Sequence, residues 1–237
     1  KREWRYYDEF PVPGMKYADY YLHGTKSGSI NSVNDGTLMK TRHSVEDAQD
    51  EYTVDYSVTR AGLFDRNMFQ VRGVSMDSTP FDEKSLTYTT LPLEKDMELT
   101  GFPVMHLWAS ASVEEVDFFL TLEEIDPEGM SWVLSDSKLR TSYRDCRKPP
   151  FNNMGLPWHR YYENDQRPLI KNEAALLEMA LFPVSCTIRK GNRLRVTINN
   201  FDKDNWDTKV LTPAPTVKVY RDREHASYIS LPVVRRK

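Results

Sequence analysis

The chain has 237 residues, of which 39% are hydrophobic and 12% aromatic, a composition that excludes an intrinsically disordered protein. Its 32 basic and 35 acidic residues leave a net charge of −3, so no basic excess supports nucleic-acid binding. No apolar run reaches the roughly 18–20 residues that cross a bilayer, and no membrane partner is predicted. The two cysteines, Cys146 and Cys186, form no Cys-x-x-Cys motif and predict free thiols in a reducing compartment, the cytoplasm, rather than a zinc site or a disulfide.

Residues 1–85 carry many turn-forming residues and no sustained hydrophobic period. Pro11, Pro13 and Gly14 interrupt the first apolar stretch, and residues 23–50 are rich in Gly, Ser, Asn and Asp. One short strand is predicted over residues 52–56. We therefore predict an irregular lead-in over residues 1–85, ahead of a β-sandwich core over residues 86–237, with the two parts forming one structural domain.

A period of two begins after residue 86. Within residues 116–122 the even-numbered positions are Val, Phe, Leu and Leu, whereas the odd-numbered positions of 117–123 are Asp, Phe, Thr and Glu. This alternation predicts a strand with one face on a core. The sequence Asp-Pro-Glu-Gly at residues 126–129 predicts a turn, and residues 132–134 complete a hairpin.

Further alternating segments occur at residues 104–110, 194–198, 217–219 and 229–233. Together they give at least seven strands separated by turn signals, which favours an antiparallel β-sandwich. Residues 172–181 (NEAALLEMAL) consist of strong helix formers. We nevertheless predict a strand there, because both flanking segments are β and tertiary context overrides propensity.

No nucleophile motif is visible. The elbow pattern Gly-x-Ser-x-Gly occurs nowhere, and residues 24–28 (Gly-Thr-Lys-Ser-Gly) place the serine at the wrong spacing. His106 lies within a strand pattern and His225 precedes the last strand, so both are interpreted as structural. His159 lies in a Pro-bounded loop and is expected at the surface, with a contact to a partner domain as the alternative. No catalytic residue is predicted in this chain.

The acidic segment 202–207 (Asp-Lys-Asp-Asn-Trp-Asp) offers oxygens suited to calcium, but it lacks the glycine and the distal glutamate of an EF-hand loop. We interpret it as a turn and predict neither a metal nor a cofactor. Two features are candidates for lining a substrate cleft or a domain interface: Trp206 in that polar loop, and the apolar pair Leu63 and Phe64 between two polar segments. For Trp206, plain packing within this domain is the alternative.

Residues 86–234 closely resemble the C-terminal domain of the X-Pro dipeptidyl-peptidase and cocaine-esterase-like serine hydrolases. The resemblance rests on the order and spacing of short motifs over about 150 residues, not on any single motif. They are LTYTTLPL (86–93), ELTG (98–101), VDFFLTLEE (116–124), DPEG (126–129), LR (139–140), SYR (142–144), RKGNRLRV (189–196), DT (207–208), PAP (213–215), VYRD (219–222) and HASYISLPVV (225–234). Residues before 86 resemble the family more loosely, through the aromatic segments at 4–7 and 20–24.

The resemblance implies a jelly-roll sandwich similar to galactose-binding domains, which packs on an α/β-hydrolase catalytic domain and closes one side of its substrate cleft. In the family the Ser-Asp-His triad belongs to that catalytic domain, so no triad position is carried over onto this chain. The start at Lys1, without Met or a signal segment, fits a piece of a longer polypeptide. In related esterases, loop residues of this sandwich help to form the acyl pocket, which is the role expected for Leu63 and Phe64.

Two other functions stay open at the level of sequence. A carbohydrate- or ligand-binding module is the alternative, because jelly rolls often serve that role and Trp158, Tyr161 and Tyr162 offer aromatic platforms. The chain also leaves open a domain whose main role is to form a homo-oligomer.

Overall fold

The regular secondary structure is almost entirely β-strand. The computed structural model describes residues 5–42, 45–60, 77–203 and 206–235, and within these ranges it contains thirteen strands, one short α-helix and two 3-10 helices. The strands are β1 (Met15–His23), β2 (Gly36–Met39), β3 (Gln49–Thr53), β4 (Leu86–Thr89), β5 (Met97–Gly101), β6 (Val104–Ala111), β7 (Asp117–Ile125), β8 (Ser131–Arg140), β9 (Ala175–Ala180), β10 (Val184–Ile188), β11 (Arg193–Asn199), β12 (Thr216–Tyr220) and β13 (Tyr228–Val234). The helices are the α-helix Thr79–Asp82 and the 3-10 turns Thr141–Tyr143 and Glu163–Asp165. None of these described helices is long and apolar enough to cross a membrane.

The strands form one hydrogen-bonded set in the order β3-β12-β6-β13-β1-β2-β4-β11-β7-β8. Strand β9 pairs with β6, and β5 joins β13 to β10. Neighbouring strands are antiparallel except β2 and β4, which run parallel. Antiparallel pairing suits the short turns that the sequence supplies between strands, such as residues 126–129 between β7 and β8.

Among the described residues, one hydrophobic core joins the two halves of this strand order. Leu107 of β6 and Ile229 of β13 belong to the same buried cluster as Leu120 of β7 and Val196 of β11, each with at most 1% of its surface exposed. Strands from the two halves of the order therefore bury side chains in the same core. The predicted all-β sandwich is confirmed, whereas the likeness to galactose-binding domains stays a prediction.

The segment of helix formers at residues 172–181 forms strand β9, as predicted. It pairs with β6 over six residues, from Ala175 opposite Ala109 to Ala180 opposite Val104. Leu177 and Met179 are each 1% exposed, whereas Glu178 between them is partly exposed. The period of two, which places alternate residues in the core, outweighs the helix propensity of the individual residues.

The described part of residues 1–85 is less irregular than predicted. They contribute strands β1, β2 and β3, and β1 pairs with the last strand from Met15–Val234 to Tyr21–Tyr228. In β1, Tyr20 and Leu22 reach the core, whereas Tyr17 is exposed. The prediction missed β1 because tyrosines occupy both of its faces and blur the alternation. The strand predicted over residues 52–56 overlaps β3 only in part, because β3 covers Gln49–Thr53.

The outer face of β7 and β11 is also covered. Thr121 and Glu123 of β7 and Arg195 and Thr197 of β11 point away from the hydrophobic core, yet each is at most 1% exposed. Residues 77–85, which include the α-helix, lie over them, and Ser78 donates its backbone N–H to the Ser131 carbonyl. The predicted orientation of residues 117–123 is therefore confirmed for these side chains, but a second layer shields them from water.

Candidate functional site

Of the three residues predicted to line a cleft or an interface, the structure describes one. Leu63 and Phe64 lie outside the described residues. Trp206 is 38% exposed, and its ring meets Phe119 edge to face with centroids 6.4 Å apart. The Lys138 ammonium lies 3.3 Å from the centre of the indole, a cation–π contact that holds the ring against β8.

Lys138 links Trp206 to a pocket of about 280 Å³. The pocket lies where the edge strand β8 meets β9, and it is lined by residues 137–139, Met179 and Ala180, residues 157–159, and Tyr161. Ser137 donates a hydrogen bond of 3.0 Å to the Ala180 carbonyl, and Ser135 donates one of 2.6 Å to the Phe182 carbonyl. These two bonds connect β8 to the end of β9 beside the pocket; we call this junction between the two halves of the sandwich the seam.

Aromatic side chains surround this pocket. Trp158 packs edge to face on Phe151 with centroids 5.9 Å apart, and Tyr161 lies beside His159 at 5.9 Å. Phe151 and Tyr161 are 56% and 53% exposed. We call the surface formed by Lys138, Phe151, Trp158, Tyr161 and Trp206 the seam surface. Large exposed aromatic residues on neighbouring loops are typical of surfaces that bury against a partner.

Ionic and backbone contacts fix the loop that carries these aromatics. Arg160 donates to both carboxylate oxygens of Asp165, at 2.7 and 2.5 Å. The backbone N–H of Arg147 donates to the Trp158 carbonyl at 2.9 Å, and His159 Nε2 donates to the Glu178 carbonyl at 2.9 Å. Tyr161 has a φ of 55°, a conformation that few non-glycine residues adopt. The loop is thus held in one conformation before any partner binds.

Only part of the predicted aromatic platform lies at the pocket. Trp158 and Tyr161 line it, whereas Tyr162 is not among the lining residues. The Arg160 guanidinium lies 4.7 Å from the centre of the Tyr162 ring, which is 61% exposed. A continuous three-ring platform for a sugar is therefore not formed.

The described histidines make structural contacts. His106 Nδ1 lies 3.1 Å from Glu178, and its ring stacks on Tyr228 with centroids 4.4 Å apart. Burial lowers the pKa of His106, against the opposing charges of Glu178 and Asp19. His225 lies 3.5 Å from Asp222 in the turn before β13. None of these contacts joins a histidine to a serine hydroxyl, so none builds the nucleophile–base pair of a triad.

The two cysteines are free, as predicted. Burial of its thiol, together with the nearby Glu178 carboxylate, raises the pKa of Cys146 to about 11, although the residue as a whole is exposed. Burial and the charge of Glu124 raise the pKa of Cys186 to about 12. Because the thiolate is the reactive form, neither thiol is activated for nucleophilic chemistry at neutral pH.

The acidic segment after β11 is engaged in packing. Asp202 accepts hydrogen bonds of 2.9 Å from the backbone N–H and from Nε of Arg60, and both residues are buried. Asp204 and Asn205 lie outside the described residues. Among the residues that the structure describes, no group of three or more acidic, histidine or cysteine side chains is arranged to hold a metal ion.

A buried ionic cluster lies between the α-helix and the sheet. Arg195 Nη1 donates to Asp82 Oδ2 at 2.8 Å, and both side chains are fully buried. Glu123 lies beside this pair and accepts hydrogen bonds from Ser78 and Thr197 at 2.6 and 2.8 Å. We call Ser78, Asp82, Glu123, Arg195 and Thr197 the ionic cluster. Sequence analysis missed it, although a Glu and an Arg in the middle of neighbouring strands are a usable signal.

Comparison with known proteins identifies the family. The family described as the X-Pro dipeptidyl-peptidase C-terminal non-catalytic domain matches residues 1–229. A Mycobacterium bovis protein named as a serine esterase is 31% identical over 99% of this chain, which covers 36% of that protein. The cocaine esterase of a Rhodococcus species is 24% identical over 99% of the chain, which covers 40% of it. The chain therefore spans less than half the length of these relatives.

Solved structures show the same fold. A Staphylococcus aureus hydrolase of the CocE/NonD family aligns over 99% of this chain and 39% of its own, with a TM-score of 0.71 and 17% identity. An aminopeptidase from a marine-sediment Thaumarchaeota archaeon aligns over 98% of this chain and 39% of its own, with a TM-score of 0.73 and 20% identity. The resemblance inferred from the sequence is confirmed: this chain belongs to the family of X-Pro dipeptidyl-peptidase C-terminal non-catalytic domains.

Proposed function

We propose that this chain serves as the non-catalytic β domain of a serine hydrolase, that it packs on an α/β-hydrolase catalytic domain, and that it helps to shape the substrate cleft. The observation that carries the proposal is the family match over residues 1–229. The relatives named as esterases support it, because this chain covers only 36–40% of their length. The cytoplasmic location, a homo-oligomer and the absence of a cofactor stay predictions.

The seam surface is the proposed contact with the catalytic domain. It combines exposed aromatic rings with the Lys138 ammonium, and Arg147 and Arg160 lie in the loop beside it. Tryptophan, tyrosine and arginine dominate the energetics of protein interfaces. The loop is already fixed by the Arg160–Asp165 pair, so docking requires little further loss of conformational freedom.

The chemistry proposed for the whole protein is acyl transfer. A serine of the catalytic domain attacks a carbonyl carbon while a histidine takes the serine proton. The histidine gives this proton to the departing alcohol or amine as the acyl-enzyme forms, and water then hydrolyses the acyl-enzyme, which releases the acid and restores the serine. This chain contributes no reacting group. Its role is to exclude water from the cleft and to hold its wall in place, with Trp206, Leu63 and Phe64 as the proposed contributing residues.

The first test compares the chain alone with the whole gene product. The chain alone should hydrolyse neither p-nitrophenyl esters nor X-Pro p-nitroanilides, because it supplies no nucleophile. The whole gene product should hydrolyse one of these classes and should lose activity with a serine-reactive phosphonate. Phosphonate-sensitive hydrolysis by the chain alone would overturn the proposal.

Trp206→Ala tests the seam surface. In the chain alone the variant should lose about 1–2 kcal/mol of unfolding free energy, because the Trp206 ring is partly buried against Phe119 and contacts Lys138. In the whole gene product it should lower kcat/KM about tenfold, the effect of removing one aromatic interface residue. Leu91→Ala is the matched control, since Leu91 is 66% exposed and lies outside the seam surface. Equal kcat/KM for the two variants would exclude Trp206 from the cleft and the interface.

A ligand-binding module is the second candidate function. The observation that favours it is the pocket lined by Trp158 and Tyr161, because aromatic faces stack on the apolar faces of sugars. Calorimetric titration of the chain with galactose, glucose and N-acetylglucosamine tests it. Heat of binding that disappears in Trp158→Ala would favour this candidate, and its absence in the parent chain would remove these sugars as ligands.

A further inference from the structure

The ionic cluster contains more hydrogen-bond contacts than its hydroxyl groups have protons. Ser78 Oγ lies 2.6 Å from Glu123 and 3.3 Å from Asp82. Thr197 Oγ1 lies 2.8 Å from Glu123 and 3.2 Å from Asp82. Each hydroxyl has one proton, so the two hydroxyls satisfy two of these four oxygen–oxygen contacts. A proton on one of the two carboxyl groups supplies a third.

The charges lead to the same conclusion. Asp82 and Glu123, if both were ionised, would place two negative charges beside the single positive charge of Arg195, and all three residues are fully buried. An uncompensated charge in such a site is costly, and a buried group takes up or releases a proton to avoid it. One bound proton makes the cluster neutral.

The neighbouring charged groups do not remove the need for one bound proton in the cluster. Arg60 lies against Phe81 of the helix, but its guanidinium pairs with Asp202 at 2.9 Å, so these two charges cancel. Burial raises the pKa of Asp77, but hydrogen bonds from Thr79 and Ser131 outweigh this effect and lower it, so Asp77 stays ionised. The charge of Arg195 also lowers the pKa of Asp77, so Asp77 supplies no positive charge that could replace the proton.

Both carboxyl groups of the cluster hold a proton more strongly than usual. Burial and the charge of Asp82 raise the pKa of Glu123 to about 8, against the opposing effects of Ser78 and Arg195. Burial raises the pKa of Asp82, although Arg195 opposes the shift. The two groups share one site, so the proton belongs to the pair rather than to either residue alone.

We propose that the ionic cluster is a proton-dependent latch: the Asp82–Glu123 pair holds one proton in the closed form at neutral pH, and the release of residues 77–85 from the outer face of the sheet is coupled to loss of this proton, so it becomes easier as the pH rises towards 8. This inference is independent of the proposed function. Its structural basis is that Ser78 and Asp82, on the released segment, make the hydrogen bonds to Glu123, Arg195 and Thr197 on the sheet.

The latch predicts how local opening depends on pH. Opening exposes Glu123 to water and returns its pKa towards 4.5, so the closed form binds one more proton than the open form between that value and about 8. The opening constant should therefore rise up to tenfold per pH unit as the pH increases from 6 to 8, and level off above that range. Stability of the closed form is highest in acid and is lost as the pH rises.

Hydrogen exchange of the full chain measures this opening. The amides of Ser78, Phe81, Asp82 and Glu83 donate hydrogen bonds in the closed form. After correction for the pH dependence of intrinsic exchange, their protection should fall about tenfold per pH unit between pH 6 and 8. Protection that does not change with pH would overturn the latch.

Two variants and one control assign the proton to the cluster. Glu123→Gln and Asp82→Asn each leave a cluster that needs no proton, so each should abolish the pH-dependent fall in protection. Glu124→Gln, the control, changes the next residue of β7, which faces the other side and accepts a hydrogen bond from Asn192. It should keep the fall seen in the parent chain. The same fall in Glu123→Gln would reject the assignment.

Infrared difference spectroscopy gives a readout that does not need a variant to fold. The parent chain, taken from pH 6 to pH 9, should lose the carbonyl stretch of one protonated carboxylic acid and gain a carboxylate band. A spectrum with no loss of a protonated carboxyl over this range would also overturn the proposal.

Discussion

Replacing Arg195 by methionine should destabilise the chain by about 3–5 kcal/mol at pH 7, the cost of breaking a buried ion pair from one side. Arg195 has no exposed surface, and its guanidinium donates to Asp82, Thr89 and Ser29. Methionine fills a similar volume but leaves the Asp82 carboxylate buried without a positive charge. Urea unfolding monitored by circular dichroism measures the change in unfolding free energy.

The exposed ion pair between Arg189 and Asp96 provides the matched control. Its 2.7 Å separation is as short as that of the buried pair, but the two side chains are 66% and 48% exposed. Arg189→Met should therefore cost less than about 1 kcal/mol. If Arg195→Met cost no more than Arg189→Met, the buried pair would contribute no more than an exposed one, and our account of the cluster would be wrong.

The loss of unfolding free energy caused by Arg195→Met should also depend on the pH and on whether Asp82 carries a charge. Without the guanidinium the two carboxyl groups need a second proton, so the deficit should be smaller at pH 5 than at pH 8. Adding Asp82→Asn to Arg195→Met should recover part of the loss, because the asparagine carries no charge. A double variant as unstable as the sum of the two single variants would show that the residues do not interact.

The sequence predicted the strands that have one hydrophobic face and missed features set by a second layer. Residues 104–110 and 194–198 alternate clearly, and they form β6 and β11. The polar positions of β7, however, look the same in sequence whether water or a covering segment lies above them. Glu123 was therefore expected on an ordinary polar face, whereas residues 77–85 bury it completely.

For the candidate site, the sequence indicates single residues but not that they lie close together. Trp206 stands out in its polar loop, and Trp158 and Tyr161 are candidates only as aromatic platforms of the ligand-binding alternative, but nothing in the sequence links these segments. The link is Lys138 of β8, which contacts Trp206 and lines the pocket beside Trp158. Contacts between residues 20 to 70 positions apart depend on strand order, which local patterns do not determine.

The hydrophobic core is the other main source of stability, and Leu120→Ala should cost about 3–5 kcal/mol of unfolding free energy. Leu120 is 1% exposed and belongs to the buried cluster shared by both halves of the sandwich. Its truncation removes apolar contacts and leaves a cavity that the paired strands β8 and β11 cannot close, because their registers with β7 are fixed. Leu91→Ala makes the same chemical change at a position that is 66% exposed, and it should cost less than about 0.5 kcal/mol. Equal losses for the two variants, measured by urea unfolding, would contradict a shared core between the two halves, because a side chain outside such a core has no cavity to leave.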